Sequence, residues 1–134
     1  YGVYFAAKLG RWLGNPARPP LRRLGDFVAD AKAGMTRHQF RRGCLVGNLG
    51  QELGGSHDDF RDRLDAVLAD WQRRVAACLR AAQAEGEIAA RVDCERMAEF
   101  FWIGWEGAIL RAKLTRSTRP MDLFADTFFA LLKE

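Results

Sequence analysis

The chain has 134 residues, of which 49% are hydrophobic and 28% are charged, so the composition excludes a disordered chain and indicates one globular domain with its own core. The net charge of +4 and three scattered Arg-Arg pairs argue against a nucleic-acid-binding surface. No apolar run approaches the length of a membrane-spanning helix and no signal peptide is recognised, so we expect no membrane partner.

The first half of the chain is predicted to form three helices. The first covers residues 2–13 and ends before Asn15-Pro16. The second covers 20–37, with Pro20 in the first turn, where its missing N–H costs nothing. The third covers 41–55 and carries leucines and glycines at helical spacing on separate faces. Because each interior glycine costs about 1 kcal/mol, we expect this glycine face to lie close to another helix or beside a ligand.

Three longer helices are predicted in the second half. Ser56 is the expected N-cap of the fourth helix, which keeps an apolar period to about residue 85 and stops at Gly86. Asp93 caps the fifth helix, which ends near Arg116, and the sixth begins at Pro120. The fold class is therefore all-α, an orthogonal or up-down bundle of about six helices.

The last two helices carry apolar residues on more than one side. In the fifth, Phe101 and Trp105 lie on one side and Ile103 on another. We expect these helices from two copies to form a four-helix interface around a two-fold axis, although the residues alone also allow both helices to be interior to a monomer. The residues expected at this interface are Ile103, Glu106, Gly107, Leu110, Phe124, Phe128 and Leu131.

Four stretches carry a family resemblance: RRGCLVGNLGQEL at 41–53, WQRR at 71–74, AAQAEGEI at 81–88 and FWIGWEGAILRAKL at 101–114. They resemble the C-terminal regulatory domain of TetR-type transcriptional repressors, and within these the branch that responds to acrylate or N-ethylmaleimide. The resemblance covers the chain from about Phe5. It implies a homodimer in the bacterial cytoplasm that binds DNA only through an N-terminal helix-turn-helix domain. We expect residues 1–134 to be the effector-binding and dimerisation domain, without that DNA-binding domain and with a piece missing between Val3 and Tyr4.

Three cysteines, Cys44, Cys78 and Cys94, have no disulfide or metal-ligand spacing, so we expect reduced thiols and no metal or cofactor. Cys44 follows Arg41 and Arg42 at a predicted helix start, a place that favours the thiolate. The residues alone allow a small packing residue or a reactive thiol, and the resemblance implies an electrophile sensor. Cys78 reads as a packing residue, and Cys94 remains open.

The remaining candidate ligand-binding residues lie on three predicted helices. Asn48 shares the side of its helix with Cys44 and reads either as a pocket wall that binds a carboxylate or as a solvent-facing residue. Phe101 and Trp105 are assigned to the ligand side of the fifth helix. Trp71 reads as pocket lining or core, and Lys113 as an anion-binding residue or a surface lysine.

The sequence therefore predicts a regulatory domain, not an enzyme, because no catalytic arrangement or phosphate-binding loop is recognised. The resemblance implies that it senses a small unsaturated or electrophilic carboxylate or carbonyl compound and releases DNA on binding. The alternative is a dimeric helical scaffold or adaptor without a small ligand.

Overall fold

The structure of the protein, a computed structural model, describes residues 2–41 and 58–133, with side chains from Ala7 onward. These ranges contain five helices: α1 Gly2–Leu13, α2 Pro20–Arg37, α3 Asp58–Ala84, α4 Cys94–Thr115 and α5 Arg119–Lys133. The two described ranges contain helices and turns and no strand, so the all-α prediction is confirmed. The helix predicted at 41–55, with its glycine face, and the predicted cap Ser56 lie outside the described residues.

The helix ends follow from local chemistry. Asp93 caps α4, because its carboxylate accepts a hydrogen bond from the Arg96 N–H at 3.1 Å. Gly86 follows α3 with φ of 77°, a left-handed conformation that glycine adopts without strain. The residue before α2 is a proline, which has no side-chain acceptor to cap the first N–H groups of the helix. The Glu87 carboxylate accepts from the Leu21 N–H instead, at 3.0 Å.

The core lies around α3, which packs against α1, α2 and α4, while α5 packs against α4. Its largest fully buried side chains come from all five helices and include Leu9, Leu24, Trp71, Trp105 and Phe128. An ion pair links α1 to α2, with Lys8 Nζ 2.9 Å from Asp30 Oδ2. None of the described helices has the length and apolar character needed to cross a membrane.

Gly104 allows α4 and α5 to approach closely. A Cβ atom at this position would lie 2.7 Å from Cδ1 and 2.8 Å from Cζ of Phe124, and would also overlap Cε1 of that ring. Gly107, one turn further along α4, has open space where its Cβ would lie. Gly104 therefore leaves room for the Phe124 ring of α5, whereas Gly107 leaves its part of the outer surface of α4 without a side chain.

One amide side chain makes several of the contacts that hold the connection between α3 and α4. The two N–H groups of Gln83 Nε2 are shared among the carbonyls of Ala89, Ala90 and Val92, at 3.0–3.2 Å. The Ala89 N–H in turn donates to the Leu132 carbonyl at the end of α5, at 3.0 Å. Together with the bond from the Leu21 N–H to Glu87, these bonds link the connection to α2 and to α5.

Candidate functional site

Three of the six candidate ligand-binding residues belong to one aromatic cluster. The Trp71 ring lies 5.2 Å from Trp102, which lies 5.3 Å from Phe101, and Phe101 stacks on Trp105 at 5.8 Å. Phe27 of α2 closes the cluster, 6.0 Å from Trp102. The candidates Trp71, Phe101 and Trp105 have at most 1% of their surface exposed. These three rings are therefore closed off from solvent in this structure.

The other three candidates do not join this cluster among the described residues. Cys44 and Asn48 lie outside the described ranges. Lys113 is half-buried near the end of α4, and it is rotated about 80° around the helix from Trp105 and about 120° from Phe101, given ~100° per residue. Its position is therefore at the edge of α4 and not on the aromatic face.

The two described thiols are held in the protonated form. Burial raises the pKa of Cys78 to about 11, with a smaller contribution from the Glu87 carboxylate and an opposing one from Arg23. Cys78 Sγ donates to the Pro20 carbonyl at 3.1 Å. Burial also raises the pKa of Cys94, whose Sγ lies 3.5 Å from Gln83 Oε1. Because the thiolate is the nucleophile, neither position favours reaction with electrophiles.

The outer sides of α4 and α5 expose large apolar side chains. Ile103, Leu114 and Leu123 have 68%, 69% and 63% of their surface exposed, and Phe100 and Leu131 are also exposed. Several large exposed apolar side chains on two neighbouring helices are typical of a protein interface.

Individual interface candidates are placed differently on these helices. Ile103, Gly107 and Leu131 are exposed, while Glu106, Leu110 and Phe124 are half-buried. Phe128 has no exposed surface, because it packs inside its own chain, 5.1 Å from Phe101. Residues 124, 128 and 131 were predicted to form one stripe, and in the structure Phe128 lies on the core side of α5 while Leu131 is exposed.

An open groove runs between α4 and α5, with a volume of about 560 Å³. Its lining includes Gly104, Ala108, Leu123 and Phe124, together with the arginines Arg111 and Arg119. Leu123 thus belongs both to the groove and to the exposed apolar residues. In the part of the chain that the structure describes, no group of three or more His, Cys, Asp or Glu side chains is arranged to hold a metal ion.

Three residues of the aromatic cluster and the groove were not among those predicted from the sequence. Phe27 joins the aromatic cluster from α2, and its place on the apolar face of that helix indicated only burial. The groove residues Arg111 and Arg119 follow no pattern in the sequence, because they meet only when α4 and α5 fold back on each other.

The chain is similar to two curated transcriptional regulators. It is 54% identical over 128 residues to the transcriptional regulator AcuR of Cereibacter sphaeroides, covering 96% of this chain and 58% of that protein. It is 32% identical over 114 residues to the HTH-type transcriptional repressor DhaR of a Mycobacterium species (strain GP1), covering 85% of this chain and 56% of that protein. The chain thus spans little more than half the length of these relatives.

Two solved structures share the fold. The regulatory protein TetR from Rhodobacter sphaeroides superposes with a TM-score of 0.93 at 53% identity, over 97% of this chain and 69% of that one. The reduced form of NemR from E. coli superposes with a TM-score of 0.80 at 19% identity, over 95% of this chain and 66% of that one, a likeness of fold alone. The family described as "Tetracyclin repressor-like, C-terminal domain" matches residues 20–128. The chain therefore belongs to this family, whose domains are parts of transcriptional regulators and not of enzymes.

Proposed function

We propose that residues 1–134 form the effector-binding and dimerisation domain of a ligand-responsive transcriptional repressor of the bacterial cytoplasm. A homodimer forms through α4 and α5, and in the whole protein DNA is bound by an N-terminal helix-turn-helix domain outside residues 1–134. The observation that carries the proposal is the 54% identity to a transcriptional regulator over 96% of the chain, together with an apolar α4/α5 surface that a second copy would bury.

The proposed effector is a small unsaturated or electrophilic carboxylate or carbonyl compound. The resemblance of residues 41–53 to regulators of that kind supports this class, and the state of the described thiols indicates which cysteine would react. Because Cys78 and Cys94 are buried with raised pKa values, Cys44 is the remaining thiol for reaction with an electrophile. Asn48 would bind the carboxylate or carbonyl oxygen, whereas Lys113, at the edge of α4 and off the aromatic face, would supply a positive charge only from outside the aromatic wall.

The aromatic cluster supplies the apolar wall of the proposed pocket. Trp71, Phe101 and Trp105 are already in contact through Trp102, so an effector that enters beside them must separate packed rings. That separation would couple the pocket to α3 and α4 together. The effector releases DNA if it binds the arrangement that does not match the operator more tightly than the arrangement that does.

The test uses the full-length protein bound to its operator. Titration with acrylate and with a panel of electrophiles should lower the affinity for DNA, roughly 5- to 150-fold for a typical coupling between two sites. Tryptophan fluorescence in the same titration should change, because Trp71, Trp102 and Trp105 share one cluster. If neither unsaturated acids nor electrophiles change operator affinity, the effector class is wrong.

Matched cysteine variants separate reaction from simple binding. A Cys44→Ser variant should lose the response to electrophiles, while Cys94→Ser should keep it, because Cys94 is buried with a raised pKa. Mass spectrometry should find the adduct on Cys44. A Cys44→Ser variant with a normal response would leave Cys44 as a pocket wall at most.

A dimeric scaffold without a small ligand is the second candidate. The open groove between α4 and α5 favours it, because a groove of this kind can hold a partner helix. The titration separates the two: a scaffold dimerises without any effect of small molecules on DNA binding.

A further inference from the structure

One buried hydrogen-bond donor of α1 has no acceptor. The Nε1 atom of Trp12 is shielded from solvent and makes no hydrogen bond within residues 2–41 and 58–133. The Trp12 side chain as a whole is half-buried and packs against the hydrophobic core, so its N–H group lies on the part of the ring that is turned into the protein. A buried indole N–H usually has a partner, because leaving it without one costs the full desolvation of the group. The position therefore points to an acceptor that the described ranges do not supply.

A cation lies beside this donor on the same helix. Lys8 precedes Trp12 by four residues on α1, so the two side chains are neighbours on one side of the helix, with Cβ atoms about 5–6 Å apart. Lys8 Nζ lies 2.9 Å from Asp30 Oδ2 of α2. An ammonium group carries three N–H donors, so Lys8 can contact a second carboxylate while it is shared with Asp30. Since hydrogen bonds within an ion pair are stronger than neutral ones, the Lys8 and Trp12 side of α1 favours an anionic acceptor.

The aromatic cluster begins one turn away along α2. Phe27 precedes Asp30 by three residues, so the two side chains lie on neighbouring turns of the helix. Phe27 has 2% of its surface exposed, and its ring lies 6.0 Å from Trp102 and 6.5 Å from Trp105. The contact between α1 and α2 thus places polar groups next to an apolar wall. A small unsaturated acid has the same division, with a carboxylate at one end and apolar carbon atoms at the other.

We propose that the Trp12 N–H group binds the carboxylate of the effector and that Lys8 supplies the charge beside it. This inference rests on the proposed function and deepens it, because it selects a carboxylate within the proposed class of carboxylates and carbonyl compounds. It also orients the effector, with its carboxylate at α1 and its unsaturated carbon atoms towards Phe27. A carboxylate has two oxygen atoms, so the indole takes one and leaves the second for the other donor of the proposed function.

Removal of the N–H group alone tests the contact. In the full-length protein, Trp12 is replaced by benzothienylalanine, in which a sulfur atom takes the place of the N–H group and the ring keeps its size. Calorimetric titration with acrylate should show roughly ten-fold weaker binding, because one hydrogen bond to a charged group is lost. The Tm without ligand should not fall, because the replaced group has no acceptor in the free protein. Unchanged acrylate affinity would overturn the proposal, and so would a drop in Tm, which would show an acceptor within the chain.

Charge variants of the α1–α2 ion pair test the role of Lys8. Lys8→Met should weaken acrylate binding roughly ten-fold, because the attracting charge is lost. Asp30→Asn should tighten it about three-fold, because the effector no longer shares the ammonium with a second carboxylate. Weaker or unchanged binding in Asp30→Asn would overturn this role. The ion pair between Lys32 of α2 and Asp122 of α5 provides the matched control, and Lys32→Met should leave acrylate affinity unchanged.

Acrylamide, which has the size of acrylate without its charge, tests the choice of a carboxylate. The wild type should bind it at least about ten-fold more weakly than acrylate, and equal affinities would overturn that choice.

The outcomes separate this inference from the proposed function. If acrylate and the electrophiles leave the wild-type protein on its operator, the proposed function itself fails. If the wild type is released from DNA and the benzothienylalanine variant binds acrylate as tightly, the proposed function stands and the contact with Trp12 is wrong.

Discussion

Three glycine-to-alanine substitutions measure how closely the helices approach Gly104. Gly25 in α2 has nothing within 4 Å of the position of its Cβ, so Gly25→Ala should gain only helix propensity, roughly 0.8–1 kcal/mol. Gly104→Ala gains the same propensity but places a methyl group 2.7–2.8 Å from two Phe124 ring atoms. Overpacking of this kind costs about 1–3 kcal/mol.

The Phe124 ring cannot move without disturbing its neighbours. It lies 5.7–5.8 Å from the rings of Phe100, Phe101 and Phe128, so a shift of the ring disturbs the contact between α4 and α5. We therefore expect Gly104→Ala to be about 1–3 kcal/mol less stable to urea than Gly25→Ala. Unfolding is measured at several protein concentrations, so that dimer dissociation is separated from unfolding of the chain.

Gly107→Ala completes the comparison. Its Cβ meets nothing within its own chain, so the stability of the folded chain should rise as in Gly25→Ala. The proposed dimer should weaken, because the added methyl group lies on the outer side of α4 that a second copy would cover. Equal urea stability of Gly104→Ala and Gly25→Ala would refute the close approach of α4 and α5.

Three further predictions concern stability. Glu87→Ala should lower the free energy of unfolding by roughly 1 kcal/mol, because it removes the cap on the Leu21 N–H; urea unfolding checks this, and no change would mean that the bond is not formed in solution. Phe128→Ala should cost about 3–5 kcal/mol, and the loss should not depend on protein concentration, because Phe128 is buried within its own chain. The folded-state pKa of Cys78 is raised to about 11 from 9.0, so its stabilising effect is fully present below pH 9 and is lost as pH rises through 11. Between pH 8 and pH 11 the free energy of unfolding should therefore fall on the order of 2 kcal/mol more for the wild type than for Cys78→Ala. Equal decreases for the two proteins would contradict the raised pKa.

The sequence predicted the described helices well because their ends depend on local chemistry. Pro20, Gly86 and Asp93 mark boundaries through effects within a few residues. The apolar period also separated the two sides of α4, since Trp105 is buried and Ile103 is exposed.

Contacts between distant segments could not be predicted from these patterns. The spacing of Phe128 was consistent with an interface or with the core, and only the packing of α5 on α4 places it inside the chain. The cap that Glu87 provides for α2 joins residues 66 positions apart, so no local pattern indicates it. Cys44 and Asn48 lie outside the described ranges, and their roles stay predictions.

The hydrogen bonds of the α3–α4 connection have a mechanical consequence for regulation. Glu87 fastens the connection to the start of α2, and Ala89 fastens it to the end of α5 through the Leu132 carbonyl. Helices α4 and α5 and the start of α2 therefore resist relative displacement. In any rearrangement of the domain, these segments are therefore expected to move together as one stiff unit.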